Sequence, residues 1–310
     1  MTSRPKYQDL PGGSAWGHQG ARLGSLELLT AERVAGAAQL VRTGLRYPLD
    51  LPLDEPSPPF FGREPFRHEV FSLLGDVVLD DKLDSFYPQA STQWDGFGHF
   101  AHPELGFHGG TDADAARAGA IGIEAWAEHG IAGRGVLLDI ARHGEATGAP
   151  IDPSGSTAIP ADLLDATARA QGTELRIGDV LCVRTGWIGW YRALASGPRA
   201  ELAAASKDYT LRTPGLGPGP GIAEFLWDHG VAAVACDNPG VEPFPFSGEV
   251  NDCVHVRVLA LLGVPLGEFF DFDALAADCG ADGTYDFLFT SAPLQLRGGI
   301  GSPPNAIAIR

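Results

Sequence analysis

The stretch Gln89-Ala90-Ser91-Thr92-Gln93-Trp94-Asp95-Gly96-Phe97-Gly98-His99-Phe100-Ala101-His102 gathers amides, a carboxylate and imidazoles into fourteen residues. Side chains alternate faces along a strand, so Gln93 and Asp95, two apart, would share one face. Gly96 and Gly98 permit a tight backbone turn, after which His99 can fold back over the same point. Oxygen and nitrogen donors converging like this hold a metal ion or move a proton. The competing reading is a plain turn in which Asp95 only hydrogen-bonds nearby backbone. His102 and His108 lie beyond the turn and read as loop or surface histidines.

These groups need a scaffold. Thr30 as N-cap, Glu32 in the first turn and the apolar stripe Val34, Ala37, Ala38, Leu40 and Val41 predict a helix over 25–44, stopped by Gly44. Six prolines between 45 and 66 predict a stiff, extended segment, with Leu51, Leu53, Phe60 and Phe61 seeking burial. Strands are predicted at 69–79 (broken at Gly75), 135–141, 179–186, 231–236, 285–292 and 306–309. Helices are predicted at 113–130, 162–171, 222–230, 254–263 and 272–280. Interleaved strands and helices give an α/β or α+β class. No composition break divides the chain, so a single domain over 1–310 is expected. The Gly/Pro-rich loops 210–221 and 238–248 are candidates for site walls or subunit contacts.

Composition narrows the function. The 310 residues are 44% hydrophobic and 20% charged, enough for a large core. The formal charge of −17 disfavours phosphate backbones and anionic lipid, so neither nucleic acid nor membrane is an expected partner. The N-terminus carries no secretory pattern and no stretch reads as a membrane span; a cytoplasmic enzyme acting on a small molecule is expected. The four cysteines lack paired CxxC spacing and read as buried small hydrophobes.

The histidine-bearing segment resembles the signature of the cyclase superfamily, which includes bacterial kynurenine formamidase and isatin hydrolase. That signature runs His-x-Gly-Thr-His-x-Asp-x-Pro-x-His. Thr92, Asp95 and His99 match it, whereas Gln89 and Gln93 stand at its two leading histidines, Ser91 at its glycine and Phe97 at its proline. Further similar blocks are Trp16-Gly17, Leu23 to Thr30, Gly135 to Arg142, Val183 to Trp187, Gly267 to Phe272, Ala292-Pro293-Leu294 and Gly298 to Pro303. The resemblance spans about residues 14–309 and leaves 1–13 as an N-terminal extension. It implies an α/β fold: one mixed β-sheet, a β-barrel-like core surrounded by helices, of the swivelling β/β/α type.

It also implies a site. A divalent metal, manganese or zinc, would be held by Gln93, Asp95, His255 and Glu268, with Glu242 the substitute for Glu268. His99 would be the acid/base. His255 is equally readable as a satisfied core histidine. An amide oxygen is a hard, weak donor beside an imidazole nitrogen, so three outcomes stand open. A hard ion such as Mn²⁺ or Mg²⁺ binds all four groups; an ion binds at the later residues alone; or there is no metal, and Asp95 hydrogen-bonds His99 as a proton-transfer pair. Gln89, Trp94, Phe97 and Trp187 are expected to contact substrate. The activity implied is hydrolysis of a cyclic or N-acyl amide. The alternatives are metal-independent ring closure or dehydration of a polyketide-like substrate, or a non-catalytic binding relic. A homodimer or homotetramer is expected, with segment 45–66 as an exchanged arm.

Overall fold

The computed structural model describes residues 4–310. Its strands, in chain order, are β1 (Arg46–Pro48), β2 (Arg67–Ser72), β3 (Leu79–Asp84), β4 (Gln93–Asp95), β5 (Ile131–Asp139), β6 (Ala158–Ile159), β7 (Val180–Arg184), β8 (Gly215–Leu216), β9 (Ala233–Cys236), β10 (Leu266–Glu268), β11 (Asp286–Ser291), β12 (Gly301–Ser302) and β13 (Ile307–Ile309). Nine form one mixed sheet in the order β1-β13-β11-β5-β7-β9-β10-β4-β12. The middle strands β5, β7, β9 and β10 are parallel. They are continuous apolar runs such as Val136-Leu137-Leu138 and Val180-Leu181-Cys182-Val183, buried throughout because both faces are covered. Helices Ala31–Ala38, Ala161–Ala170, Pro220–Asp228 and Asp273–Asp282 surround this sheet, in keeping with the expected α/β class.

β2 and β3 form a separate hairpin that exposes Val70, Leu73, Leu74 and Val77. The run expected over 69–79, broken at Gly75, is the end of β2 and the turn around Gly75, with β3 starting only at Leu79. A second, smaller apolar cluster joins Phe60, Trp187, Ile188, Tyr191, Leu211, Phe244 and Phe269 beside the main core. Phe60 makes edge contacts there with Trp187, Tyr191 and Phe269. The proline-rich segment thus packs on its own chain through Leu51 and Phe60.

Local differences from expectation have identifiable causes. Thr30 does cap a helix, accepting from Arg33 N at 3.4 Å, but that helix covers only Ala31–Ala38. The helix expected over 113–130 is split into Ala113–Arg117 and Glu124–His129. Between them Gly119 (φ 86°) turns the chain so closely past Gly298 that a Cβ would lie 3.0 Å from its Cα. Asp139 ends β5 early by capping the helix Ile140–Thr147, accepting from Arg142 N at 3.1 Å. Helices Trp187–Ala193 and Ser196–Lys207 were not anticipated. In the presumed extension Tyr7 and Leu10 are buried, and Arg4 stacks 3.4 Å over Trp227. All four cysteines are buried and unpaired.

Candidate active site

The floor of the site is built by two short strands. β4 pairs antiparallel with β10, setting Glu268 opposite Gln93 and Gly267 opposite Trp94. Directly opposed residues share a face, and so do residues two apart, so Gln93, Asp95 and Glu268 project together. Trp94 projects from the other face. There its indole packs on Phe270 and Phe289 and donates to Ser291 Oγ at 2.9 Å. Gly267 is required beneath it, because a Cβ would come within 2.8 Å of the indole and 2.6 Å of Phe270. The turn after β4 closes with His99 N donating to Gly96 O at 2.9 Å and brings His99 back over the floor.

His255 enters from the opposite side, in the first turn of the π-helical segment His255–Leu261. Glu242, from the loop after β9, fixes it: Oε2 accepts from Val254 N at 2.9 Å, and Oε1 accepts from His255 N at 3.1 Å and His255 Nδ1 at 2.6 Å. The tautomer is thereby set with Nδ1 protonated, leaving Nε2 toward the floor. Nε2 lies 3.4 Å from Asp95 Oδ2 and 3.3 Å from Glu268 Oε1.

The remaining carboxylate oxygens are taken by amides. Asp95 Oδ1 accepts from Gln89 Nε2 at 2.5 Å and Gln93 Nε2 at 3.2 Å, and Glu268 Oε2 accepts from Gln93 Nε2 at 2.6 Å. Gly301 lets Gln89 through, since a Cβ there would meet Gln89 Cγ at 2.5 Å. Asp95 Oδ2 is buried without a hydrogen-bond partner. Thr92 ties the proline-rich segment to this floor, accepting from Leu51 N and donating to Phe269 O, both at 2.7 Å.

Asp95, Glu242, Glu268 and His255 are each at most 4% exposed. Burial opposes the charge on Asp95, but His99, His255 and the Gln89 amide outweigh it and hold the carboxyl at about 2. Burial and the neighbouring Asp95 charge push Glu268 up to about 7. Burial alone would lower His255, yet the surrounding carboxylates of Asp95, Glu242 and Glu268 raise it well above the ordinary histidine value. Burial lowers His99, with Asp95 opposing. Three buried carboxylates around one imidazole leave the site negative even when that imidazole is charged. Such a cluster calls for a cation at Nε2, either a proton or a metal ion.

A metal fits. Donors on one ion at about 2.1 Å stand roughly 3.0–3.4 Å apart, and the two free carboxylate oxygens hold that spacing from Nε2. Asp95, His99 and His255 also offer donor atoms within 4.8 Å of one another. The Glu242–His255 pair is the carboxylate–histidine arrangement that orients metal ligands.

Above the floor lies a cavity of about 200 Å³, reached by His99, His255 and Glu268 and walled by Phe61, Arg63, Phe100, Tyr209, Pro239, Phe244 and Phe246. Pro239, Phe244 and Phe246 come from the loop expected to form a wall. Three aromatic assignments need correction. Trp94 faces away; Phe97 is fully buried against His108 and Trp126; and Trp187 is fully buried, stacked on Tyr191 in the second core. Gln89 is turned to Asp95 and does not line the cavity. Gln93, expected among the ligands, turns its amide N–H groups to the carboxylates. Glu268 lies on the floor, and Glu242 stands behind His255. His99 Nε2 is 3.8 Å from Asp95 Oδ1, too far for the hydrogen-bonded pair expected without a metal. Phe100 lies in the Phe-rich segment 97–107 expected to wall the site, whereas Phe61, Arg63 and Tyr209 were missed; Phe60-Phe61-Gly62-Arg63 signalled burial but no direction.

No functionally curated protein matches the chain. Solved structures do. A crystal structure described as a novel cyclase superposes with a TM-score of 0.82 at 30% identity, covering 96% of this chain and 99% of that one. Isatin hydrolase A from Labrenzia aggregata, bound to benzyl benzoate, gives 0.61 at 17% identity over 92% of this chain and 98% of its own. Isatin hydrolase A from Ralstonia solanacearum gives 0.63 at 16% over 91% and 97%. These last two share the fold. No helix among the described residues is long and apolar enough to cross a membrane. The Cyclase family model matches residues 47–243, which include β4, its turn and Glu242; with the 30% identical cyclase structure, that match makes this chain a member of the cyclase family.

Proposed function

We propose that the protein is a metal-assisted hydrolase of a cyclic or N-acyl amide. The observation that carries this reading is the convergence of buried donors at His255 Nε2, 3.4 Å from Asp95 Oδ2 and 3.3 Å from Glu268 Oε1, with the imidazole locked from behind by Glu242. Asp95, His255 and Glu268 would hold a divalent ion. An oxygen-rich set with one nitrogen favours a hard ion such as Mn²⁺ over Zn²⁺. When bound, the ion would supply Lewis acidity toward a carbonyl oxygen and ease the ionisation of water.

The protein's own residues do the rest. His99 sits at the cavity edge with its side chain 26% exposed, in reach of both solvent and the floor. As a histidine it can take a proton from the attacking water and return it to the departing nitrogen. Water oxygen bonds to the acyl carbon, the carbon–nitrogen bond breaks, and the proton travels through His99 Nε2. Asp95 keeps its charge close to that nitrogen and steadies the imidazolium formed midway. Phe100 and Phe246 flank His255 with ring centroids at 4.9 and 6.4 Å, limiting water at the reacting centre.

The test is elemental analysis of protein purified without a polyhistidine tag, followed by amide hydrolysis with and without a chelator. Near one equivalent of a divalent ion and loss of turnover on chelation are expected. Less than a tenth of an equivalent, with turnover untouched by chelator, would transfer the activity to the metal-independent acid/base reading.

A further inference from the structure

We infer that Arg63 anchors an anionic group on a single-ring aromatic substrate, an assignment of specificity that rests on the hydrolase reading above. Four of the other half-buried arginines are neutralised within the chain. Arg134, Arg184, Arg192 and Arg310 each pair with two carboxylates. Arg63 pairs with none. Its Nη1 is buried with no hydrogen-bond partner, and its Cζ lies 5.3 Å from the centroid of the Phe61 ring. Glu268 and Asp95 are close enough for their charge to act on the guanidinium, but neither forms an ion pair with it. A guanidinium taken from water without a partner is costly. Set in the wall of a cavity, its missing partner is an anion that enters from outside, and its planar fork suits a carboxylate.

The cavity defines the rest of the ligand. Phe61, Phe100, Phe244 and Phe246 give it aromatic walls, with Phe61 and Phe244 tilted by 35° at 5.5 Å. An apolar cavity of about 150 Å³ accepts benzene; this one, at about 200 Å³, takes one ring and a small substituent. Charge fixes the orientation. The anionic end turns to Arg63 in the cavity wall, which leaves the neutral amide to face His99. The class assigned is a monocyclic aryl amide bearing a carboxylate.

Calorimetric titration of the full-length protein with benzoate and with its neutral analogue benzyl alcohol tests this without turnover. Benzoate is expected to bind the wild type at least tenfold more tightly. Arg63→Gln should bring the two within about twofold, and Arg63→Lys should keep most of the preference. Equal binding to the wild type, or a benzoate preference that survives Arg63→Gln, would overturn the assignment. Should the Gln variant not fold, benzylamine decides on the wild type: binding tighter than benzyl alcohol overturns the proposal, and weaker binding supports it. Arg63-dependent benzoate binding in a protein that hydrolyses no amide would sink the hydrolase reading alone.

Discussion

Glu242 makes no contact with the cavity, yet its replacement should cost both fold and metal. In Glu242→Gln the retained Oε1 still accepts from His255 N and Nδ1, now without charge assistance. The new amide group stands against Val254 N, 2.9 Å from the oxygen it replaces. One buried donor is orphaned, at about 1–3 kcal/mol, and two charge-assisted bonds are weakened, at about 1 kcal/mol together. A loss of roughly 2–4 kcal/mol in unfolding free energy is expected from urea denaturation of the metal-free protein. Loosening the partner of a ligating imidazole lowers metal affinity about 10–100-fold, readable as Mn²⁺ competition against a chromophoric chelator. Glu242→Ala, which orphans all three donors, should lose more on both measures. An unchanged urea midpoint together with unchanged Mn²⁺ affinity in Glu242→Gln would refute the reasoning that the buried carboxylate fixes His255.

Two further outcomes follow from other residues. The amides of Gln89 and Gln93 converge on Asp95 Oδ1. Replacing both with histidine puts nitrogen donors at that oxygen and should raise Zn²⁺ affinity at least tenfold by competition titration; no gain means the amides do not border an ion site. Remote from the site, burial pushes the Asp50 carboxyl up to about 6, with hydrogen bonds from the Ala306 and Asn305 backbone opposing. Between about pH 4 and 6 the folded state keeps a proton that the unfolded chain has released, so this residue's contribution to stability falls as pH rises through that window. Asp50→Asn should flatten that part of the pH–stability curve, and an unchanged slope in urea midpoints between pH 4.5 and 7 would exclude the assignment.

How much could be read beforehand depended on sequence distance. The common face of Gln93 and Asp95 and the return of His99 are local consequences of strand alternation and a glycine turn, and both are present. The same alternation also places Trp94 on the far face, which an argument from aromatic character alone overlooked. The pairing of Glu268 with Gln93 joins residues 175 apart, and no local pattern encodes such a register. Glu242 and Glu268 are both acidic and similarly spaced from His255, so only the tertiary arrangement separates the residue behind the imidazole from the one in front. Phe97 and Trp187 were drawn into packing that a linear reading cannot apportion. Arg63 was invisible for another reason: its significance lies in lacking a counter-ion, a property of the assembled neighbourhood. In the central sheet, by contrast, apolar runs too long to alternate announced buried strands directly.

The reacting groups and the groups that surround a ligand belong to different structural blocks. Asp95 and Glu268 ride on strands of the main sheet, whereas Phe61, Phe244 and Phe246 lean on the smaller cluster around Phe60, Trp187 and Phe269. Diversification of positions 61–63, 239, 244 and 246, with Glu242 kept behind His255, can therefore retune ligand preference while the proton-handling apparatus keeps its register. A lineage built this way can acquire new selectivities without relearning its chemistry, and a laboratory library confined to those two loops would exploit the same division of labour.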